Sequence, residues 1–178
     1  MGYGAAIYIK SMNTDDETTV NLIMSKSRVA PLRSKQTIPK LELSGAALLT
    51  TLINHVVSSL EETIVLSEVV CWCDSTIVLA WLRAPVHRLQ VFEGNRVTQI
   101  NASNVPLTWR YVPSDMNCAD LASRGATAAD LLQHHLWWGP QWLCKPSDQW
   151  PANYTNFSME SLPGVKERVT HVGILDSQ

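Results

Sequence analysis

The chain has 178 residues, of which 46% are hydrophobic and 17% are charged. This composition suits one globular domain with an extension and excludes a disordered or low-complexity chain. The formal net charge of −2 excludes a protein that holds nucleic acid through a high overall positive charge. The four cysteines include no C-x-x-C pair and the chain shows no signal-peptide pattern, which predicts free thiols in a reducing compartment. From the sequence we also expect no apolar run of membrane-spanning length.

The first half of the chain alternates between strand and helix patterns. Two alternating segments, residues 3–10 and 18–26, flank a polar turn and predict a β-hairpin. A long amphipathic helix follows, which starts near Pro39 and carries its apolar stripe as far as Leu60. A nearly continuous apolar run at residues 64–73 then predicts a strand that is covered on both faces.

The second half continues the alternation with shorter elements. A short helix is predicted over 74–84, a further helix over 91–100 and a strand over 107–112. The next helix ends at Gly125, and another begins at Thr127 with a capping box. The order β-β-α-β-α-α-β-α predicts an α/β layer fold in which an antiparallel hairpin lies beside parallel strands.

Three acidic residues occupy equivalent places where strands meet helices. Glu42 is placed in the first turn of the long helix, Asp74 at the end of the apolar strand, and Asp120 in the first turn after the last strand. Sites in open α/β sheets form outside the carboxyl ends of the strands. Carboxylates gathered there would repel one another unless hard cations such as Mg²⁺ lie between them, and two such ions about 4 Å apart can promote phosphodiester cleavage.

Each of these acids also has a purely structural interpretation. Acids in a first helical turn complement the helix dipole. Asp74 could cap the helix that follows it, and Asn117 with Asp120 could form a capping box. The spacing alone leaves both metal ligation and helix capping open.

A basic stretch precedes the long helix. Residues 25–40 contain five basic and no acidic residues. Basic side chains there would bind a phosphate backbone in a salt-dependent, sequence-independent way, and the alternative interpretation is a solvated basic loop. The five residues are Lys26, Arg28, Arg33, Lys35 and Lys40.

The last part of the chain predicts no core of its own. After Pro140 it is rich in Pro, Trp, Ser and Asn. The four tryptophans within residues 137–150 could stack on bases, but we interpret them as residues that fold this segment back onto the domain. We therefore place the domain at residues 1–126 and assign 127–178 to a Trp/Pro-rich extension or linker.

Six blocks follow one another over roughly residues 2–145: "GYGAAIYI", "SKSRVAPL", "TIPKLELSGAALL", "CDSTIVLAWL", "WRYVPSDMNCADLASRG" and "LWWGPQWL". In this order they resemble the ribonuclease H-like domain of BEL/Pao-type retrotransposon polyproteins. The resemblance implies a ribonuclease H-like α/β fold, a mixed sheet flanked by helices. It also implies hydrolysis of the RNA strand of RNA–DNA hybrids with two Mg²⁺ or Mn²⁺ ions.

The acidic set of that family is Asp-Glu-Asp-Asp. The resemblance matches Glu42, Asp74 and Asp120 to its second, third and fourth members and so implies that they are the catalytic and metal-binding residues. The family carries the first Asp on a strand just before the "YGA" segment, so we expect that strand and that Asp to be missing here. Asp15 and Asp16 are poor substitutes because they fall in the hairpin turn. We therefore expect weak ion binding and impaired hydrolysis.

The resemblance also implies partners and a location. The partners are an RNA–DNA hybrid or other nucleic acid and the reverse transcriptase and integrase regions of the same polyprotein, with no membrane. The implied location is cytoplasmic, within retrotransposon particles, with the nucleus as the alternative. The alternative functions are a non-catalytic remnant that binds nucleic acid or acts as a scaffold, and remotely an aspartic peptidase, although "DST" at Asp74 lacks the Gly of the peptidase motif.

Overall fold

The computed structural model describes residues 2–31, 36–154, 156 and 162–166. Within them the chain has a mixed α/β fold, as the sequence predicts. The strands are β1 (Gly2–Met12), β2 (Thr18–Val29), β3 (Val70–Cys73) and β4 (Thr108–Tyr111). The α-helices are α1 (Ile38–Leu60), α2 (Thr76–Arg83), α3 (Val91–Asn101), α4 (Asp120–Arg124), α5 (Ala128–Gln133), α6 (His135–Trp138) and α7 (Gln141–Cys144).

The four strands of the described ranges form two separate two-stranded sheets. β1 and β2 form the predicted antiparallel hairpin, with an irregularity in the register at Ile7 and Tyr8. β3 and β4 pair in parallel, with Val70 opposite Thr108. The hairpin therefore lies beside the parallel pair without a hydrogen-bonded ladder between them, and a cleft separates the two sheets.

β3 is much shorter than the apolar run that predicts it. Only the last four residues of the 64–73 run form the strand. The earlier part is exposed, and Val65 is fully exposed. The physical reason lies in its partner: β4 begins at Thr108, whose N–H donates to Val69 O, so no described strand stands opposite the residues before Val69.

α1 is the central helix of the fold. It begins at Ile38 with Pro39 in its first turn, where the missing N–H of proline costs nothing. One part of its apolar surface, including Leu43, packs in a core with Trp81 of α2. Another part, including Leu48, packs against Ala5 of the hairpin. α1 therefore supports both sheets.

By length and composition alone, α1 is also apolar enough to cross a membrane, which corrects the expectation that no segment reaches that threshold. However, 56% of its most apolar window is buried inside the protein. The core helix of a globular domain passes the same test. We therefore assign α1 to the core of this domain.

Aromatic side chains of the C-terminal part of the chain hold the two sheets together on the face opposite α1. The Tyr8 hydroxyl of β1 donates to Trp137 O at 2.9 Å, and the Trp72 ring of β3 meets the Trp142 ring edge-on at 4.9 Å. Tyr8 and Trp72 alternate with Ile7 and Cys73, which face the α1 side. The packing interpretation of these tryptophans is thus confirmed for Trp137 and Trp142, which are both buried.

Candidate functional site

Glu42 and Asp74 are electrostatic neighbours in the cleft between the two sheets. Glu42 lies in the second turn of α1, not in the first as predicted, because the helix already begins at Ile38 and has no acidic residue in its first turn. Asp74 directly follows β3. Both residues line the cleft, and the charge of Asp74 acts on the carboxyl group of Glu42.

The environment of Glu42 disfavours its charged form. Burial is the largest cause that raises the pKa of Glu42. A hydrogen bond with the Ser75 side chain lowers that pKa, and repulsion by Asp74 raises it further, so that the net pKa lies above the ordinary value. Two neighbouring carboxylates of this kind are stabilised by a cation between them.

Asp74 is not the helix cap that the structural interpretation proposed. The N-cap of α2 is Ser75, whose Oγ accepts a hydrogen bond from the Val78 N–H at 3.3 Å. The Ser75 N–H in turn donates to Cys73 Sγ at 3.4 Å. The cap is therefore provided by Ser75, and Asp74 lines the cleft.

Asp120 lines the same cleft from the first turn of α4. Its Oδ1 accepts a hydrogen bond from Arg124 Nε at 2.8 Å, in an ion pair one helical turn apart. The N-cap of α4 is Ala119, and Asn117 Oδ1 accepts from the Ala119 N–H at 3.0 Å. The capping box suggested for Asn117 and Asp120 is therefore replaced by the Asp120–Arg124 pair.

α4 reaches the cleft because β1 has glycines where the two elements touch. A Cβ atom on Gly4 would lie 2.5 Å from Ala122 Cβ, and one on Gly2 would lie 3.3 Å from Ser123 O. The contact at Gly4 leaves no room for a Cβ, and the contact at Gly2 is tighter than an ordinary van der Waals contact. The position of Asp120 at the start of α4 therefore depends on this close approach.

The three predicted carboxylates thus share a cleft of about 1790 Å³. In the described part of the chain, however, no group of three His, Cys, Asp or Glu side chains is placed to hold a metal ion. The structure brings Glu42 and Asp74 together and leaves Asp120 paired with Arg124. This donor set fits one Mg²⁺ ion held by two carboxylates and waters, and does not by itself form a centre for two ions.

Two of the five predicted nucleic-acid-binding residues lie exposed on β2. Lys26 stands opposite Ala5 and Arg28 opposite Tyr3 in the hairpin. Directly paired residues of an antiparallel sheet share one face, and Ala5 and Tyr3 belong to the cluster that packs on α1. Both basic side chains therefore project on the α1 side of the hairpin, and Arg28 also lines the cleft.

The other three basic residues differ from one another. Lys40 lies in α1, and its Nζ is 3.5 Å from Oε1 of Glu93, a residue that is only 1% exposed. Its ammonium also lies 5.3 Å from the ring centroid of Phe92. Lys40 therefore already has an anionic partner within the domain. Arg33 and Lys35 lie outside the described residues.

Sequence reasoning missed Ser75 and Arg124, which contact the predicted acids. A serine directly before a helix is a standard N-cap, and this pattern is the signal that could have identified Ser75. The four-residue spacing of Asp120 and Arg124 on one helix face predicts an ion pair. Both signals were present in the sequence.

Replacing Glu42 by Gln is expected to raise the free energy of unfolding at neutral pH. Because the pKa of Glu42 is raised in the folded chain, the folded state binds the proton more tightly than the unfolded state. The contribution of Glu42 to stability therefore falls as the pH rises from its ordinary pKa to its raised pKa, and stays low above it. Urea unfolding at about pH 4 and about pH 8 should show that Glu42→Gln has a higher free energy of unfolding than the wild type mainly at the higher pH.

The matched control is Glu62→Gln, which changes an exposed carboxyl just beyond α1. We expect this variant to follow the wild-type pH dependence. Identical pH profiles for Glu42→Gln and Glu62→Gln would contradict a raised pKa at Glu42.

Comparison with known proteins gives one family match, over the first part of the chain. Residues 1–75 match the model of the Pao retrotransposon-like RNaseH-like domain. The matched segment includes the hairpin, α1 and β3, and with them Glu42 and Asp74. No curated protein and no solved structure matches the chain.

Proposed function

Because residues 1–75 match the Pao retrotransposon-like RNaseH-like domain, we propose that the chain binds RNA–DNA hybrids as part of a retrotransposon polyprotein. We propose further that Glu42, Asp74 and Asp120 are its carboxylates for divalent-cation-dependent hydrolysis of the RNA strand. The observation that carries this proposal is the electrostatic contact of Glu42 and Asp74 in the cleft.

The residues of the cleft suit this chemistry in part. Glu42 and Asp74 would hold a Mg²⁺ or Mn²⁺ ion, and the hydrogen bond from Ser75 to Glu42 would fix one of these ligands. When bound, such an ion polarises a phosphodiester and lowers the pKa of a coordinated water. Asp120 would join this set only by leaving Arg124, so we expect weak ion binding and slow hydrolysis by this chain.

A second candidate function is nucleic-acid binding without turnover. Two observations favour it: the Asp120 carboxylate is paired with Arg124 at 2.8 Å, and no three-ligand group is formed within the described ranges. Binding requires only exposed cations near the cleft, and Lys26 and Arg28 provide them. The 2′-hydroxyls and the groove shape of a hybrid would distinguish it from duplex DNA.

The proposed partners and location follow from the same family. The reverse transcriptase and integrase regions of one polyprotein would flank the domain, and its place of action would be cytoplasmic particles, with the nucleus as the alternative. The aspartic peptidase alternative fits the fold poorly, because Asp74 is followed by Ser75 as the N-cap of a helix and not by the strand and glycine that a peptidase motif requires.

The test is a paired binding and cleavage assay on a labelled RNA–DNA hybrid with Mg²⁺ or Mn²⁺. We expect the binding constant K for the hybrid to fall as the salt concentration rises. In the double variant Lys26→Ala and Arg28→Ala, the slope of log K against log salt should be less steep by roughly 2. We expect slow cleavage that Asp74→Asn abolishes while hybrid binding persists.

Asp148→Asn is the matched control, since it changes an exposed aspartate that does not line the cleft, and it should leave both assays unchanged. Binding without any cleavage would favour the second candidate. Cleavage that is unchanged by Asp74→Asn would contradict the assignment of the site, and absence of hybrid binding would contradict both candidates.

A further inference from the structure

Residues 162–166 lie against the domain as a short strap, and backbone hydrogen bonds hold them there. Gly164 O accepts a hydrogen bond from the Gln90 N–H at 2.7 Å. The Lys166 N–H donates to Arg88 O, also at 2.7 Å. The strap is therefore bound at two points to the segment that leads into α3.

Side chains of the strap pack against the core that contains α2. Leu162 and Val165 contact the cluster of buried residues around Trp81, and the Trp81 indole N–H donates to Pro163 O at 2.6 Å. Val165 also lies opposite Leu89 in an antiparallel bridge. The strap thus occupies its site as a bound peptide would, with apolar anchors and paired backbone groups.

Gly164 brings the backbone of the strap against the carboxyl group of Glu93. A Cβ at position 164 would lie 2.9 Å from the Glu93 carboxyl carbon and 2.9 Å from its Oε1. Gly164 also has a φ of 75°, which glycine adopts without strain. The docked strap thereby confines the carboxyl group of Glu93, which is 1% exposed, to its place 3.5 Å from Lys40 Nζ.

The strap also takes the local hydrogen-bond donor of Glu93. Gln90 is the N-cap of α3 and Glu93 is its third residue, the position from which a glutamate commonly accepts a hydrogen bond from the N-cap N–H. Gly164 O accepts from that N–H instead. Glu93 Oε2 is buried and has no hydrogen-bond partner among the residues that the structure describes. Because an unpaired buried carboxylate oxygen is costly, Glu93 gains a hydrogen bond when the strap leaves.

We propose that the strap is an inhibitory element that withholds the Lys40 ammonium from a phosphate backbone. The docked strap holds the Glu93 carboxylate beside Lys40 and keeps the ion pair closed. When the strap leaves, Glu93 turns to the Gln90 N–H. The Lys40 side chain is 31% exposed, so a phosphate can reach it once Glu93 has moved. The effect on hybrid binding rests on the proposed function, whereas the release of Lys40 does not.

The test releases the strap in the full chain without changing Glu93. Val165→Asp places a charge at an apolar anchor of the strap and should expel it. Gln149→Asp adds the same charge at an exposed residue and should leave the strap docked. Mass spectrometry measures the acetylation rate of Lys40 by a soluble lysine reagent, with Lys26 as the internal reference. We expect Lys40 to react about threefold faster in Val165→Asp and at the wild-type rate in Gln149→Asp.

Hydrogen exchange follows the two backbone hydrogen bonds of the strap. In Val165→Asp, the Lys166 amide should exchange about tenfold faster or more, because its hydrogen bond to the domain is lost. The Gln90 amide should stay protected, because Glu93 replaces Gly164 O as its acceptor. Slow exchange within α1 in the same experiment shows that the domain remains folded.

Glu93→Gln tests the same contact with the strap left in place. This change removes the negative charge and keeps the shape of the side chain. Lys40 should therefore be acetylated faster than in the wild type while the Lys166 amide stays protected. The result does not depend on whether Val165→Asp folds, and it separates the charge of Glu93 from the position of the strap.

Binding of the RNA–DNA hybrid measures the functional consequence. In Val165→Asp, the slope of log K against log salt should be steeper by roughly 1 than in Gln149→Asp, because Lys40 adds one phosphate contact. Adding Lys40→Ala to Val165→Asp should return the slope to that of Gln149→Asp.

Three results would overturn the proposal. One is a Lys40 acetylation rate that is the same in the control and in both strap-site variants. The second is loss of protection at Gln90 together with Lys166, because Glu93 would then not change its partner. The third is an unchanged salt slope although Lys40 is acetylated faster. Absence of hybrid binding in every variant would contradict the proposed function, while faster acetylation would still support control of Lys40 by the strap.

Discussion

Replacing Trp81 by Ala is expected to remove a large part of the stability of the domain. Trp81 is 1% exposed and packs in the core with Leu43 of α1 and Val97 of α3. Its indole N–H also donates to Pro163 O at 2.6 Å. Truncation of a buried Trp costs about 3–5 kcal/mol, a large part of the roughly 5–15 kcal/mol that stabilises a typical domain. Urea unfolding monitored by circular dichroism measures the loss.

Trp138→Ala provides the matched control for this substitution. Trp138 is 49% exposed, and its indole N–H donates to Leu131 O at 2.9 Å. We expect a loss below about 1.5 kcal/mol, the range of a single exposed hydrogen bond. Equal losses for Trp81→Ala and Trp138→Ala would contradict the placement of Trp81 in the core.

Gly4→Val is expected to move α4 away from β1 and to destabilise the domain by about 1–3 kcal/mol. A Cβ at position 4 would lie 2.5 Å from Ala122 Cβ and 2.9 Å from the Ala122 carbonyl carbon. Because the second atom belongs to the backbone, a side-chain rotation cannot relieve the contact. α4 has to shift, and Asp120 at its start moves with it. The thermal unfolding temperature and the rate of hybrid cleavage should therefore both decrease.

Gly45→Ala is the control for the contact at Gly4. A Cβ at position 45 would lie 3.4 Å from Gly4 O, which is close to an ordinary contact. Alanine also favours the interior of a helix over glycine by about 0.5–1 kcal/mol. We expect this variant to be at least as stable as the wild type. A Gly4→Val variant as stable as Gly45→Ala would mean that α4 does not pack on β1 as described.

Elements that depend on local patterns were predictable from the sequence. The hairpin follows from two alternating segments around a polar turn, and α1 follows from a long apolar stripe with Pro39 near its start. The capping box at Thr127 and the helix end at Gly125, with its positive φ of 81°, also appear as predicted. Each of these signals acts within a few residues of its effect.

Features that depend on distant partners were not predictable in the same way. The apolar run before Val70 does not form a strand, because strand formation requires the partner β4, which begins only at Thr108. The separation into two sheets depends on which strands form hydrogen-bonded ladders, here β1 with β2 and β3 with β4. The contact of Glu42 and Asp74 was predicted from the order of elements, but the pairing of Asp120 with Arg124 limits the set to two neighbouring carboxylates.

The carboxyl group of Glu42 offers the most direct test of a cation site in the cleft. Its titration can be followed by carbon-13 NMR in the wild type and in Asp74→Asn, with and without Mg²⁺. We predict a pKa above the ordinary glutamate value in the wild type, a lower pKa after Asp74→Asn, and a lower pKa again when Mg²⁺ is added to the wild type. A Glu42 carboxyl with an ordinary pKa that responds neither to Asp74→Asn nor to Mg²⁺ would contradict the site.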